Sequence, residues 1–178
     1  MTVAPAPPGG VPGPVASYLI ADHERLDALL RRAVAQPPMI DIKAYAEFRR
    51  GLLRHIGMEE KILLPAAQRA RGGEPLPVAA RLRLDHGALA ALLVPVPEVA
   101  ILAAIRTILT GHNRLEEGPE GAYEVCEHLA GSAVSALAAE LRAAPEVPVS
   151  APVDFARVAA ATRRALVRAG YDPATLGL

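Results

Sequence analysis

The sequence has almost no cysteine, no excess of charge of either sign and no long apolar run. Cys126 is the single cysteine among 178 residues, so no disulfide can form within the chain, and a reducing, cytoplasmic compartment is the simpler expectation. Nineteen basic residues balance nineteen acidic ones, which argues against a nucleic-acid groove and against binding to an anionic membrane. Charged residues interrupt the apolar runs well before the length of a membrane span. We therefore expect neither nucleic acid nor a membrane as partner.

The amino-terminal segment, MTVAPAPPGGVPG, is rich in proline and glycine. It lacks the basic start and apolar centre of a signal peptide, and residues 1–13 are predicted to be a disordered leader. The whole chain is 52% hydrophobic and 21% charged, a composition typical of a globular domain.

After the leader, apolar residues recur at three- and four-residue steps, which predicts helices and leaves almost nothing to assign to strands. Pairs such as Pro37-Pro38 and Gly72-Gly73 end these segments, Pro65 is predicted to kink or end the second, and Gly118-Pro119 to break or bend the fourth. Predicted helices cover residues 14–36, 41–71, 77–94, 98–117, 123–143 and 154–169.

Short connections between the predicted helices make neighbouring helices antiparallel. The predicted fold class is therefore all-α: an antiparallel up-down four-helix bundle with extra C-terminal helices. The predicted organisation is a bundle domain at 14–143, a linker at 144–153, and a C-terminal helix and tail at 154–178.

Each of the four bundle helices carries one histidine on its apolar face. These histidines are His23, His55, His86 and His112, and the second and fourth are followed four residues later by Glu59 and Glu116. The chain also repeats itself, because ADHERLDALL aligns with LDHGALAALL and RHIGMEE aligns with GHNRLEE. Residues four apart share one face of a helix, so all six side chains are expected to point into the bundle.

Four imidazoles and two carboxylates in a bundle core indicate a metal site, and mixed nitrogen and oxygen ligands favour iron. One metal could use four of these groups. The internal repeat favours two metals, with Glu59 and Glu116 as bridges between them. The positive charge of the two cations would then compensate the cost of burying each carboxylate. The alternative is that the histidines are ordinary core residues. If about three-sevenths of helical positions face inward, four histidines would all do so in only about 3% of cases.

The six residues resemble the haemerythrin-like (hemerythrin HHE cation-binding) family, whose pattern is H…HxxxE…H…HxxxE. The resemblance covers roughly residues 17–123. It implies a non-haem di-iron centre, bridged by carboxylates and by an oxo or hydroxo group, that reacts with dioxygen, nitric oxide or peroxide. Oxygen carriers of this family have one more histidine where this chain has Ala90. The resemblance therefore implies an open position on one iron, which favours reactivity or signalling over reversible oxygen transport.

Four acidic neighbours of these residues have weaker claims. Glu60 and Glu117 are expected to be solvated, with Glu117 the second candidate for a bridge. Asp22 and Asp85 are interpreted either as exposed acids or as hydrogen-bond acceptors that orient the histidines following them.

Four further features lie towards the carboxyl end. Tyr123 is a candidate donor to a metal-bound oxygen species, Cys126 is expected to be a small apolar side chain and not a redox thiol, and His128 is expected at the surface. The last predicted helix carries an apolar stripe that is expected to cover the bundle, formed by Phe155, Val158, Thr162 and Leu166.

Three functions are open at this point. The chain is a sensor or scavenger that binds a small diatomic molecule or peroxide, a di-iron oxidoreductase of peroxidase or nitric-oxide-reductase type, or a protein for iron storage or for iron donation in cluster repair. No catalytic residue is assigned beyond the metal ligands.

Overall fold

The computed structural model describes residues 11–154 and 156–178. Most of the predicted leader therefore lies outside the described residues, as does Phe155. The regular elements of the described part are helical, which confirms the all-α class. The α-helices are α1 (Pro14–Ala33), α2 (Ile42–Met58), α3 (Leu64–Ala70), α4 (Ala79–Leu92), α5 (Val99–Glu117), α6 (Ala122–Ala130), α7 (Val134–Arg142) and α8 (Ala156–Arg168).

Helices α1, α2 with its continuation α3, α4 and α5 form the antiparallel bundle, and the remaining helices pack around it. Among the described helices, none combines the length and the apolarity that crossing a membrane requires.

The second bundle helix contains a widened turn just before Pro65. Helices α2 and α3 are joined without a break by a π-helical turn, Glu59–Leu63, in which the Leu64 N–H donates to the Glu59 carbonyl. Pro65 has no N–H, and its ring crowds the carbonyl four residues earlier, so the preceding turn opens. Pro65 therefore widens the helix without ending it. Such π turns occur often at functional sites, and this one begins at Glu59.

The helical path is interrupted between α5 and α6, as expected from Gly118-Pro119. Helix α5 ends at Glu117, and the Gly121 N–H donates to the Gly118 carbonyl at 2.7 Å. A Cβ on Gly121 would lie 2.5 Å from the Glu116 carbonyl oxygen, so this close turn needs glycine. Beyond the turn, α6 packs against the first residues of α1 and against α3.

Helix α6 is attached to the beginning of α1 by a carboxylate. The Gly13 N–H donates to Glu127 Oε2 at 3.0 Å, and the Val15 N–H donates to Glu127 Oε1 at 2.7 Å. The first N–H groups of a helix have no partner within it, and a negative charge there is stabilising. Glu127 therefore both caps α1 and fixes the position of α6.

Among the described residues, the hydrophobic core consists of two clusters, one towards each end of the bundle. On three bundle helices the histidine falls in sequence between a leucine of one cluster and a leucine or methionine of the other. These flanking pairs are Leu19 and Leu26 on α1, Leu52 and Met58 on α2, and Leu82 and Leu89 on α4. The histidines thus define a polar layer between two apolar ones.

Helix α8 packs against α4 and contributes to one of these clusters. Leu166 is fully buried, Thr162 donates to the Ala91 carbonyl at 3.1 Å, and Val158 is half-buried. The expected covering stripe is therefore present among its described members.

Candidate metal centre

The polar layer brings together all six side chains that the sequence predicted to converge. None of the six is more than 6% exposed. They are His23 on α1, His55 on α2, Glu59 in the π turn, His86 on α4, and His112 and Glu116 on α5.

Two groups within this layer could each hold a cation, and both glutamates belong to both groups. In each group the ligand atoms all lie within 4.8 Å of one another. The groups are His23, His55, Glu59 and Glu116, and Glu59, His86, His112 and Glu116. We call them the α1/α2 group and the α4/α5 group.

The two oxygens of each glutamate face different groups. Glu59 Oε1 lies 3.2 Å from His55 Nε2, and its Oε2 lies 3.1 Å from His86 Nε2. The second glutamate is arranged in the same way, with Glu116 Oε2 3.6 Å from His23 Nε2. Its Oε1 lies 3.2 Å from the Nε2 atom of the α5 histidine. Each carboxylate thus offers one oxygen to each group.

Two of the histidines hydrogen-bond through Nδ1 to acidic side chains outside the layer. His55 Nδ1 lies 2.9 Å from Asp22 Oδ2, and His86 Nδ1 lies 2.7 Å from Glu60 Oε1. Such a hydrogen bond, donated by Nδ1–H, holds the ring with Nε2 pointing inward, where it can bind a metal once its own proton is displaced.

The other two histidines also face an acid. His112 Nδ1 lies 3.5 Å from Asp85 Oδ2, and His23 Nδ1 contacts the Glu117 carboxylate. Each of the four acids adjoins a residue of the polar layer on one helix and reaches the histidine of the next. The contacts therefore run round the bundle from α1 to α2, α4, α5 and back to α1.

These contacts correct one expectation from the sequence and add to another. Asp22 and Asp85 are buried, and they face histidines of neighbouring helices, not the histidines that follow them. Glu117 is exposed and Glu60 half-buried, in keeping with the expectation of solvated neighbours, but they also contact His23 and His86. Adjacent residues are about 100° apart on a helix. An acid next in sequence to a residue that points into the bundle therefore lies where its helix meets the neighbouring helix. From there it contacts the histidine of that neighbouring helix.

Arginines hold the two aspartates from outside. Arg25 Nε donates to Asp22 Oδ1 at 2.8 Å. Arg81 Nη2 donates to Asp85 Oδ1 at 2.6 Å, and the Tyr171 hydroxyl donates to the same oxygen at 2.7 Å. Tyr171 follows α8, so the carboxyl-terminal segment takes part in orienting Asp85.

The electrostatics of the layer favour bound positive charge. Burial lowers the pKa of His55, but the charge of Glu59 and the hydrogen bond to Asp22 outweigh burial and raise that pKa to about 10. Burial would likewise lower the pKa of His112, but its acidic neighbours have the larger effect and raise that pKa to about 10. Burial raises the pKa of Glu59, yet the imidazole of His55 holds it well below its ordinary value. Burial and the charge of Glu59 raise the pKa of Glu116.

These groups fit a pair of metal cations. His86 Nε2 and His112 Nε2 lie 3.1 Å apart, so two bare lone pairs would repel each other without a proton or a cation nearby. Glu59 Oε2 is buried and, although it lies 3.1 Å from His86 Nε2, it forms no hydrogen bond with a described residue. Metal ions displace ligand protons and can satisfy such atoms.

Tyr123 is the seventh polar side chain in the layer. It lies on α6, beyond the interruption after α5, and its hydroxyl oxygen is 2.5 Å from Glu59 Oε1 and 3.1 Å from Glu116 Oε2, the two carboxylate oxygens to which its one proton can be donated. Burial, and then the charges of both glutamates, raise the pKa of Tyr123 well above its ordinary value.

Two other residues lie where the sequence placed them. Cys126 is buried, and burial raises the pKa of its thiol to about 12, so it is a protonated, unreactive side chain. His128 is exposed, because α6 turns Tyr123 and Cys126 into the core and leaves its other face in solvent.

The family model described as "Hemerythrin HHE cation binding domain" matches residues 15–168. No significant match was found among curated proteins or among solved structures.

Proposed function

Because the chain belongs to the hemerythrin HHE cation-binding family, we propose that it is a non-haem di-iron protein that binds or reacts with dioxygen, nitric oxide or peroxide. The observation that carries the proposal is the sharing of both glutamates by two groups of ligands. One ion would be held by the α1/α2 group and the other by the α4/α5 group. The equal number of imidazoles on each side supports two ions over one, and mixed nitrogen and oxygen ligands support iron.

A di-iron centre supplies electrons and vacant binding positions for dioxygen, nitric oxide or peroxide. The chain's own residues prepare the site for it. The acids outside the layer orient the imidazoles, and the two hydrophobic clusters exclude bulk water from both sides. Ala90, one turn after His86, provides no ligand atom and supports an open position on the ion of the α4/α5 group.

Sensing or scavenging is favoured over iron storage because the six proposed ligands are buried. A storage or donor protein must release its metal readily, whereas these side chains lie inside the core at no more than 6% exposure. The single cysteine, a buried free thiol, supports a reducing compartment such as the cytoplasm.

The test is elemental analysis of the purified chain together with its visible and near-ultraviolet spectrum. We expect two iron ions per chain and the absorption of an oxo-bridged pair. Glu59→Ala should lose at least one iron, since it removes a ligand of both ions. Glu24→Ala is the matched control, because Glu24 is exposed and adjoins a proposed ligand. Retention of both irons by Glu59→Ala would reject the bridge.

Turnover separates binding from catalysis. A sensor gives a spectral change that saturates at one equivalent of nitric oxide or peroxide per site. A di-iron oxidoreductase consumes many equivalents of peroxide or nitric oxide when a reductant is supplied. Rapid loss of iron to a mild chelator, with neither behaviour, would instead support storage or donation.

A further inference from the structure

The hydroxyl of Tyr123 lies among the ligand atoms of the α1/α2 group. Its oxygen is 3.2 Å from His55 Nε2 and 3.3 Å from His23 Nε2. The same oxygen is 2.5 Å from Glu59 Oε1 and 3.1 Å from Glu116 Oε2. It therefore lies within 3.3 Å of all four members of this group.

The placement is one-sided. The hydrogen bonds of Tyr123 reach His23, His55 and the two shared glutamates, and none of them reaches His86 or His112. The ring of Tyr123 also packs beside that of His23, with centroids 5.8 Å apart. The phenol therefore belongs to one half of the centre, although the chain's internal repeat makes the histidines and glutamates of the two halves alike.

Packing holds the ring in this position. Tyr123 is 1% exposed and packs in the same hydrophobic cluster as Leu19 and Met58. Its helix is held at one end by the Gly118–Gly121 turn and at the other by Glu127, which caps α1. A cation bound by these nitrogens and oxygens lies at about 2 Å from each. The phenol oxygen, which lies within 3.3 Å of the same four atoms, would then be within ligand range.

We propose that Tyr123 is a protein ligand, as its phenolate, to the cation held by the α1/α2 group, an inference that rests on the proposed function. On binding, the phenol O–H bond breaks, the oxygen bonds to the cation and the proton leaves to solvent with those displaced from the histidines. Tyrosine is among the side chains that ligate iron in proteins.

This ligand makes the two ions unequal. The ion of the α1/α2 group has two imidazoles, two carboxylates and a phenolate, whereas the ion of the α4/α5 group has only two imidazoles and two carboxylates. Small molecules are therefore expected to bind at the ion beside His86 and His112.

The test is resonance Raman spectroscopy of the ferric protein with excitation in the visible region. Phenolate bound to ferric iron produces a visible charge-transfer band, and excitation in that band enhances the ring vibrations of the bound tyrosine. We expect these vibrations in the wild-type protein and their complete loss in Tyr123→Phe. Iron content is measured on the same samples.

Tyr45→Phe is the matched control. Tyr45 is also buried, at 2% exposure, but it lies in the other hydrophobic cluster, and its hydroxyl has no hydrogen-bond partner among the described residues. We expect it to keep the tyrosinate vibrations. Circular dichroism checks that both variants are folded, which the loss of a single oxygen atom should allow.

The outcomes separate the two proposals. Two irons without tyrosinate vibrations, or with vibrations that persist in Tyr123→Phe, would overturn the Tyr123 assignment and leave the di-iron proposal standing. Absence of bound iron would overturn both. Vibrations lost only in Tyr123→Phe would establish the ligand.

Discussion

An imidazole can bind a metal through one nitrogen only if its other nitrogen and its ring plane are held in place. In this chain the holding groups are acids next in sequence to residues of the polar layer. Glu60 is a clear example, since its Oε1 lies 2.7 Å from His86 Nδ1 while Arg83 Nε donates to its other oxygen at 3.2 Å. Burial alone would raise the pKa of Glu60. The hydrogen bonds and charges of His86 and Arg83 have the larger effect and lower that pKa. The carboxylate is thus ionised and able to accept the Nδ1 proton.

At the residue scale, Glu60→Ala is predicted to weaken binding of the cation in the α4/α5 group. Loss of such an outer contact typically lowers metal affinity by about 10- to 100-fold. Glu60→Gln keeps an acceptor oxygen and should recover most of the affinity. Competition titrations with a chelator measure the change. The idea fails if Glu60→Ala binds metal as tightly as Glu24→Ala, whose glutamate is exposed.

At the scale of elements, the turn between α5 and α6 decides whether Tyr123 reaches the centre. The turn is so tight that a Cβ on Gly121 would meet two carbonyl oxygens, those of Glu116 at 2.5 Å and of Gly118 at 2.6 Å. The backbone of Gly121 itself is ordinary, with φ of −67°. The requirement for glycine is therefore one of space and not of backbone conformation.

Gly121→Ala is accordingly predicted to destabilise the fold by about 1–3 kcal/mol, the usual cost of forced overpacking. It should also weaken the tyrosinate vibrations, because α6 must shift. Gly111→Ala is the control, since a Cβ there meets nothing within 4 Å. In mid-helix it should stabilise by about 0.5–1 kcal/mol. Chemical denaturation of both variants measures these values, and equal stabilities would contradict the argument.

At the scale of the whole molecule, α8 is part of the core and not an appendage. Leu166 is 0% exposed and belongs to the same cluster as Leu89 and Leu92 of α4. Arg81 of α4 donates one hydrogen bond to the carbonyl of Ala169, just after α8, at 2.7 Å. It donates another to the carboxylate of Asp85. The carboxyl-terminal segment thereby connects to the acid that faces His112.

Leu166→Ala is therefore predicted to cost about 2–5 kcal/mol of unfolding free energy, as for other buried leucines. Its neighbour Val167 is 63% exposed, and Val167→Ala should change the same quantity by no more than about 0.5 kcal/mol. Urea denaturation measures the unfolding free energy of both variants, analysed with the same dependence of that free energy on urea concentration. A small effect at Leu166 would mean that α8 is dispensable for the bundle.

Much of this architecture was predictable because helical periodicity is local. Residues four apart face the same way in any α-helix, so the convergence of His55 with Glu59, and of His112 with Glu116, needed no knowledge of the neighbouring helices. The break at Gly118-Pro119 was equally visible, since proline and glycine act on their own backbone.

What the sequence by itself determined is the helical class and the inward direction of six polar side chains, because both depend on spacing along one helix. Only the tertiary structure decided which acid faces which histidine, and that Tyr123 enters the α1/α2 half. Those contacts depend on the rotation of one helix against another and on the path of the turn after α5. Both are set by packing between residues distant in sequence, which no local pattern records.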